Sequence, residues 1–510
     1  MTPTKSLADP DGYLRTDFLL GDLAGRSVRA GFLKIGAQVG QLALLGASGV
    51  LLARLLTPED FGLYAMVLSL TAFVDNFRDF GLPMAAVQRQ DLDHRQFSGL
   101  FWVTQRLNLL TVGFVALMAP LVARFYAEPR LIPVTLTIAA GIFLLGLTLQ
   151  HESLLVRRMR FGVITGIEAG SVLVGVLAGI GLALRGAGYW ALVLQFVASA
   201  LTRSVALWLA AGWRPEGARR ALRTLSPEVR SFLRFGGHYT GYRVLTHIGF
   251  RLDRVLVGLL AGAPVMGLYD NSFRWSRYPI RAVYPPLLSV AVASLSRLQG
   301  EPEAYRQACR KAILPVLALV VPAFGFGIAE GRSLILVLLG RQWLDAVPFF
   351  RLFCLAGIAS SLTLITKWLY LSSGETRRQF HWALIYAPLM IAAVAVGASR
   401  GPLGVAVAFT AASWLLTPPA LAFCFATSHL TMRAFAGTAW RPLVASAVAT
   451  FATLAMRPVL PAGIVLELFL ALMAFALMYG ITWMALPGGR AAGRDLVALR
   501  RALRFGRVEP

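Results

Sequence analysis

The sequence predicts an all-α polytopic membrane protein with about 14 transmembrane helices. Its 510 residues are 57% hydrophobic and only 15% charged, and their mean hydropathy of +0.65 lies well above that of ordinary soluble proteins. Apolar runs of roughly 20 residues, the length that one helix needs to cross a bilayer, recur along the whole chain. Basic residues gather in every second loop between these runs, which is typical of membrane proteins with a fixed orientation.

Each predicted span is one of these apolar runs. The first begins near Gly31, after a charged N-terminal segment that lacks the pattern of a cleavable signal peptide. In chain order the spans are 31–54, 61–87, 99–123, 131–151, 163–184, 188–211, 233–261, 266–295, 313–336, 348–371, 381–399, 402–426, 441–457 and 463–485.

The basic loops follow the even-numbered spans. Examples are "RRMR" (157–160) and "RQACRK" (306–311), and the C-terminal tail is also rich in arginine. Loops after odd-numbered spans, such as "TPEDFG" (57–62) and "AGAP" (261–264), carry almost no positive charge. Because positively charged loops stay inside, both termini are predicted to be cytoplasmic. The same loops account for most of the net charge of +24, so we expect no nucleic-acid partner.

A repeated hairpin divides the chain into two halves. "LLTPEDFGLY" (55–64) joins spans one and two, and "LLAGAPVMGLY" (259–269) joins spans seven and eight. A parallel repeat of this kind predicts two pseudo-symmetric six-helix lobes around a central cationic cavity, plus two appended helices. The predicted domains are a cytoplasmic N-terminal segment (1–30), an N-lobe (31–211), a basic cytoplasmic linker (212–232), a C-lobe (233–426), and spans thirteen and fourteen with a basic cytoplasmic tail (427–510).

Two neighbouring spans each carry a stripe of charged residues. Residues three or four apart share one face of a helix, and both stripes follow such steps. The stripe in span seven consists of Arg243, His247, Arg251 and Arg254, and the stripe in span eight consists of Asp270, Arg274, Arg277 and Arg281. The six arginines and His247 are therefore the candidate substrate-binding residues.

Placing these arginines in a membrane is unfavourable, since each costs roughly 2.5–3.5 kcal/mol of insertion free energy at the bilayer centre. A water-filled cavity lined by both stripes would remove most of that cost. Alternatively, Asp253 or Asp270 could neutralise an arginine within each hairpin, which would account for one or two of the six. Six arginines against two aspartates still leave a surplus of about four positive charges, which predicts an anionic guest. Arginine suits phosphate because its planar fork binds two oxygens at once.

Carboxylates in the spans are candidates for a gate or for coupling to H⁺ or Na⁺. Asp75, Arg78 and Asp79 lie close together in span two, where an intrahelical ion pair is an equally good interpretation. Asp253 and Asp270 belong to the same candidate set.

The sequence carries no motif of an enzyme or of a cofactor or metal site. The three cysteines lack metal-type spacing, and no Walker loop, HExxH motif or nucleophile elbow is present. We therefore expect a transporter with no catalytic residues and no cofactor.

One stretch of the chain resembles a known family. "LLARLLTPEDFGLYAMVLSLTAFVDNFRDFGLPMAAVQRQDLDHRQFSGLFWVTQRLN" (51–108) is similar to the N-terminal signature of polysaccharide biosynthesis proteins. It most resembles the Wzx-type lipid-linked oligosaccharide flippases of the multidrug/oligosaccharidyl-lipid/polysaccharide (MOP) transporter superfamily. "LLGRQWLDAVPFFRLFCLAG" (338–357) is similar to the outer loop and span ten of those proteins.

The resemblance implies a function in the bacterial cytoplasmic (inner) membrane. Such a flippase moves oligosaccharide repeat units linked to undecaprenyl diphosphate from the inner to the outer leaflet by alternating access of its two lobes. The units serve the synthesis of O-antigen and lipopolysaccharide, capsule or exopolysaccharide. A polysaccharide polymerase and a chain-length regulator are the further partners that this function suggests.

Two other functions remain as alternatives at this stage. A cation-coupled multidrug exporter of the same superfamily should present carboxylates to its drug, whereas the charges here are mostly positive. A membrane glycan polymerase or ligase would need a large outer loop with catalytic residues, and the predicted outer loops are all short.

Overall fold

The computed structural model describes residues 23–78, 93–216, 252–459, 463–490 and 493. Within these ranges the chain is almost entirely helical and contains no β-strand. Twelve stretches of helix in the described part are long and apolar enough to cross a membrane. The predicted fold class, an all-α polytopic membrane protein, is confirmed.

The chain forms two compact units, which we call unit 1 and unit 2. Unit 1 comprises Met1–Arg251 with Gly262–Met266, and unit 2 comprises Leu252–Ala261 with Gly267–Pro510. The helices in the first part of the chain are α1 (Leu23–Leu55), α2 (Pro58–Arg78), α3 (His94–Phe125), α4 (Leu131–Gly146), α5 (Leu149–Arg157), α6 (Phe161–Leu184) and α7 (Trp190–Ala211).

The second part of the chain contributes nine further helices to the described ranges. They are α8 (Leu252–Ser276), α9 (Tyr278–Arg297), α10 (Pro302–Ala329), α11 (Gly331–Leu338), α12 (Val347–Ser373), α13 (Thr376–Ala398), α14 (Gly401–Phe425), α15 (Met432–Met456) and α16 (Ile464–Ala485). A short 3₁₀ segment, Arg341–Ala346, leads into α12.

Local sequence explains where several helices begin and end. α3 starts with a capping box, in which the Asp93 side chain accepts a hydrogen bond from the Gln96 amide and the Gln96 side chain accepts one from the Asp93 amide. α7 and α12 end at Gly212 and Gly374, whose positive φ angles of 61° and 74° suit glycine because it has no Cβ.

Two predicted spans are each divided into two helices. Span four (131–151) becomes α4 and α5, and span nine (313–336) becomes the end of α10 and α11. Spans seven and eight meet within α8, where Gly262 interrupts the helix with a φ of 71° and a ψ of −172°. The twelve candidate membrane stretches count Leu252–Pro285 once, although it includes parts of both predicted spans.

The break between α4 and α5 leaves backbone carbonyls without their helical donors, and side chains from two other helices replace those donors. An unsatisfied carbonyl is costly inside a membrane, so this replacement stabilises the break. The replacing hydrogen bonds run from Ser204 to the carbonyl of Leu144 (2.5 Å), from Gln105 to that of Gly146 (3.0 Å) and from Trp208 to that of Leu147 (3.1 Å). Asn108 adds a second hydrogen bond (3.1 Å) to the carbonyl of Phe143, which keeps its helical donor, the Leu147 amide.

Candidate functional site

The candidate site lies in unit 2, where α8 folds back on itself. Arg254 Nε donates a hydrogen bond of 2.8 Å to Asp270 Oδ1, and the Tyr269 hydroxyl donates one of 2.9 Å to Asp253 Oδ2. Both pairs are 16 residues apart in sequence. In a straight helix such residues would be about 24 Å apart, so the chain must reverse between them. The interruption at Gly262 provides this reversal.

The contacts around Arg254 are buried. Arg254, Asp253 and Tyr269 are only 8%, 4% and 0% exposed, and Arg254 Nη1 also lies 3.7 Å from Asp253 Oδ1. Removing charges from water is unfavourable unless they are paired and hydrogen-bonded, and both conditions hold for Arg254.

Arg274 binds the second carboxylate oxygen of Asp270. Its Nη2 atom lies 3.2 Å from Asp270 Oδ2, one helical turn away, and its side chain is about one-third exposed. The two aspartates therefore engage Arg254 and Arg274, which is the internal pairing that the sequence left open.

Arg277 and Arg281 continue the stripe without such partners. The Arg277 amide bonds to the carbonyl of Phe273 (3.2 Å) and the Arg281 amide to that of Arg277 (3.1 Å), so helical geometry runs from α8 into α9. Neither guanidinium has a carboxylate within 4.0 Å in the part of the chain that the structure describes. Arg277 is partly buried and Arg281 is exposed. Together with Arg254 and Arg274, they give the site a surplus of two positive charges over its two aspartates.

An aromatic cluster supports this group of charges. The Arg254 and Arg277 guanidinium carbons lie 4.2 Å and 5.0 Å from the centroid of the Phe273 ring. Phe273 packs edge-to-face against Phe353 of α12 and Phe409 of α14, with centroids 5.2 Å and 6.0 Å away. Such pairs add to the stabilisation that comes from burial alone.

An apolar cavity of about 560 Å³ lies beside the same helices in unit 2. Trp275 and Tyr278, which alternate with the arginines along the chain, line it together with Phe324 of α10 and Phe475 of α16. The volume falls in the range of small-molecule sites, and the lining suits a hydrocarbon group.

Unit 1 contains an ionic network that sequence reasoning missed. Arg203 of α7 lies 2.8 Å from Glu152 of α5 and 3.5 Å from Glu168 of α6. Charged residues inside apolar spans point to such networks, but periodicity within one span does not indicate partners on other spans.

Several candidate residues are not located by the structure. Asp79, Arg243, His247 and Arg251 lie outside the described residues. Asp75 and Arg78 lie at the C-terminal end of α2.

Comparison with protein families identifies the chain. A family model described as "polysaccharide biosynthesis protein" matches residues 51–348, which is more than half of the sequence. The chain belongs to this family. The predicted resemblance is thereby confirmed.

Curated relatives carry related names. The chain is 23% identical to the lipopolysaccharide biosynthesis protein WzxC of Escherichia coli (strain K12), over 70% of this chain and 72% of that protein. It is 29% identical to the succinoglycan biosynthesis transport protein ExoT of Rhizobium meliloti (strain 1021), over 72% and 73%. It is 24% identical to the teichuronic acid biosynthesis protein TuaB of Bacillus subtilis (strain 168), over 71% and 73%.

Solved structures share the fold of this family member. The lipid II flippase MurJ in an inward closed conformation matches with a TM-score of 0.66 and 14% identity, covering 92% of this chain and 99% of that one. An inward-facing multidrug resistance transporter of the MATE family, in the MOP superfamily, matches with a TM-score of 0.56 and 11% identity, over 77% and 97%. At these identities the likeness establishes the fold alone.

Proposed function

We propose that the protein is a flippase for oligosaccharides linked to undecaprenyl diphosphate, which it moves from the inner to the outer leaflet of the bacterial cytoplasmic membrane. It would work by alternating access of its two helical lobes and would supply repeat units for a surface polysaccharide. Membership of the polysaccharide biosynthesis family and the names of the relatives support this assignment.

The observation that carries the proposal is the pair of arginines without carboxylate partners, Arg277 and Arg281. They lie one turn apart at the start of α9, directly after α8, whose two arginines, Arg254 and Arg274, already engage Asp270. A positive surplus among apolar helices calls for an anion, and guanidinium groups bind phosphate oxygens bidentately. A diphosphate offers such oxygens to both arginines at once.

Other features fit the same substrate. The apolar cavity beside Trp275 and Tyr278 suits hydrocarbon such as the prenyl chain. The basic loops support an orientation with both termini in the cytoplasm, on the side of the inner leaflet. A drug exporter for cations is disfavoured because the described charges of this site are predominantly positive. The proposed reaction is transport without chemical conversion, with a polymerase acting afterwards.

The test is the double variant Arg277→Ala/Arg281→Ala, expressed in a strain that lacks its own copy of the gene. We expect surface polysaccharide to fall at least about tenfold and lipid-linked repeat units to accumulate, because the diphosphate loses two charge-assisted contacts. The Lys/Lys variant should restore export only in part, since an ammonium lacks the planar fork.

Arg400, an exposed arginine between α13 and α14, provides the matched control. Arg400→Ala should export normally, and immunoblots of membranes should show equal amounts of all variants. Normal export by the double alanine variant would rule out the proposed anion site.

A further inference from the structure

The ring of Phe273 contacts two arginines at once. The guanidinium carbons of Arg254 and Arg277 both lie within 5.0 Å of its centroid. A cation within about 6 Å of a ring centroid is attracted by the negative face of the aromatic system. The Phe273 ring thus lies close to two positively charged guanidinium groups.

The ring is itself held in place. Phe353 and Phe409 pack against it edge-to-face, at interplanar angles of 80° and 73°. Phe353 is 1% exposed and also packs against Tyr269, with centroids 4.9 Å apart. Packing against α12 and α14 therefore fixes the position of the Phe273 ring on α8.

The two arginines on this ring differ in their other partners. Arg254 donates to Asp270, whereas Arg277 has no carboxylate within 4.0 Å among the described residues. A carboxylate neutralises a guanidinium and occupies its N–H groups. An aromatic face attracts the cation without neutralising it, so the N–H groups at the edge of the guanidinium stay available to an anion.

We propose that Phe273 is a positioning residue that holds the Arg277 guanidinium ready for an anion without neutralising it. This inference rests on the proposed function, because the anion is taken to be the diphosphate of the lipid-linked substrate. Phe273 itself does not contact the substrate. It holds the Arg277 side chain in place before the anion binds, and so reduces the conformational entropy that this side chain loses on binding.

Fluorinated phenylalanines test this role. Ring fluorines withdraw electron density from the face and weaken the attraction for a cation while they change the shape of the ring little. The full-length protein in detergent would carry phenylalanine, monofluoro-, difluoro- or trifluorophenylalanine at position 273. The probe is inorganic diphosphate, and its Kd is measured by isothermal titration calorimetry.

We expect the Kd to rise with each added fluorine, by about fivefold to tenfold for the trifluoro ring. Phe273→Trp should bind at least as tightly as the natural protein, because indole has the strongest cation–π face, whereas Phe273→Leu should bind weakly. Thermal unfolding of each variant shows whether it is folded.

Phe353 provides the matched control, since it is a buried ring in the same cluster and makes no cation–π contact with an arginine in the described part of the chain. Fluorination there should leave the Kd unchanged. An equal rise at both positions, or no rise at position 273, would overturn the role of Phe273 and leave the proposed transport intact. If the natural protein did not bind diphosphate at all, both the anion site and this role would be wrong.

Discussion

The ionic network of unit 1 and the candidate site of unit 2 balance their charges in opposite ways. In unit 1, one arginine, Arg203, faces two carboxylates, those of Glu152 and Glu168. In unit 2, the candidate site has four arginines and two aspartates, and only Arg254 and Arg274 pair with an aspartate. Charged side chains in membrane helices are energetically unfavourable and occur mainly where they are paired or functional. The paired charges of Arg203 are therefore expected to be structural, and the surplus of positive charge in unit 2 is what we propose as a binding site.

Within unit 2 the same difference recurs between neighbouring arginines. Arg254 is 8% exposed and hydrogen-bonded to Asp270, so we expect it to hold the two parts of α8 together. Arg277 and Arg281 lack such partners in the described structure and are the residues that we propose for anion binding. Substitution of Arg254 or of its partner Asp270 should affect stability, and substitution of Arg277 or Arg281 should affect transport.

The largest expected effect on stability comes from Asp270→Ala. This change leaves Arg254 buried without its main partner, and breaking a buried pair in this way costs about 3 kcal/mol or more. The free energy of unfolding, measured in detergent by denaturant titration, should fall by that amount.

Glu303→Ala is its control, because Glu303 is 77% exposed and pairs with Arg306 at the surface. Its effect should stay below about 1 kcal/mol. Equal effects of the two substitutions would mean that the pairing in unit 2 is no more structural than a surface contact.

A smaller effect is expected for the network of unit 1. Arg203 lies 2.8 Å from Glu152, and both side chains are less than one-third exposed. A double-mutant cycle with Arg203→Gln and Glu152→Gln should give a coupling free energy of about 1–2 kcal/mol, because the hydrogen bond is charge-assisted. A coupling near zero would show that this pair is not structural and would weaken the contrast between the units.

The smallest effect concerns pH. Arg130 hydrogen-bonds to Glu128 in the connection between α3 and α4, and this contact lowers the pKa of the Glu128 carboxyl. A carboxyl whose pKa is lower in the folded state contributes stability above its unfolded pKa, and loses it as the pH falls through the folded pKa. The contribution at neutral pH should be below about 1 kcal/mol because the pair is solvated.

Melting temperatures of the natural protein and of Glu128→Gln, compared between about pH 3 and pH 7, would check this. The difference between them should shrink on acidification. Glu301→Gln serves as control, since Glu301 is exposed and has no ion pair in the described ranges. A difference that grew on acidification would contradict the assignment.

Much of the fold could be predicted from the sequence because a membrane span is a long, continuous apolar run. The breaks were harder to predict, since the interruption between α4 and α5 falls at Leu147 and Thr148 with no proline nearby. Its stability depends on side chains of α3 and α7, which are more than 30 residues away. Hydropathy contains no information about such contacts.

For the site, helical spacing correctly placed Asp270 near Arg274, one turn apart. It did not reveal that Asp270 would also engage Arg254, because that contact depends on the reversal at Gly262. Helical spacing also did not predict that Phe273 contacts two arginines, since nothing distinguishes one aromatic residue from the others in an apolar span. The stripe through Arg243, His247 and Arg251 stays a prediction.

The break between α4 and α5 also bears on how the protein is assembled. During synthesis α4 and α5 leave the ribosome before α7, yet the carbonyls of Leu144 and Leu147 receive their hydrogen bonds from Ser204 and Trp208 of α7. Until α7 arrives, these two groups need water or another donor, because lipid offers none. A chain that ends after Leu184 would lack both donors, so dehydration of this part of the bundle must wait for the insertion of α7.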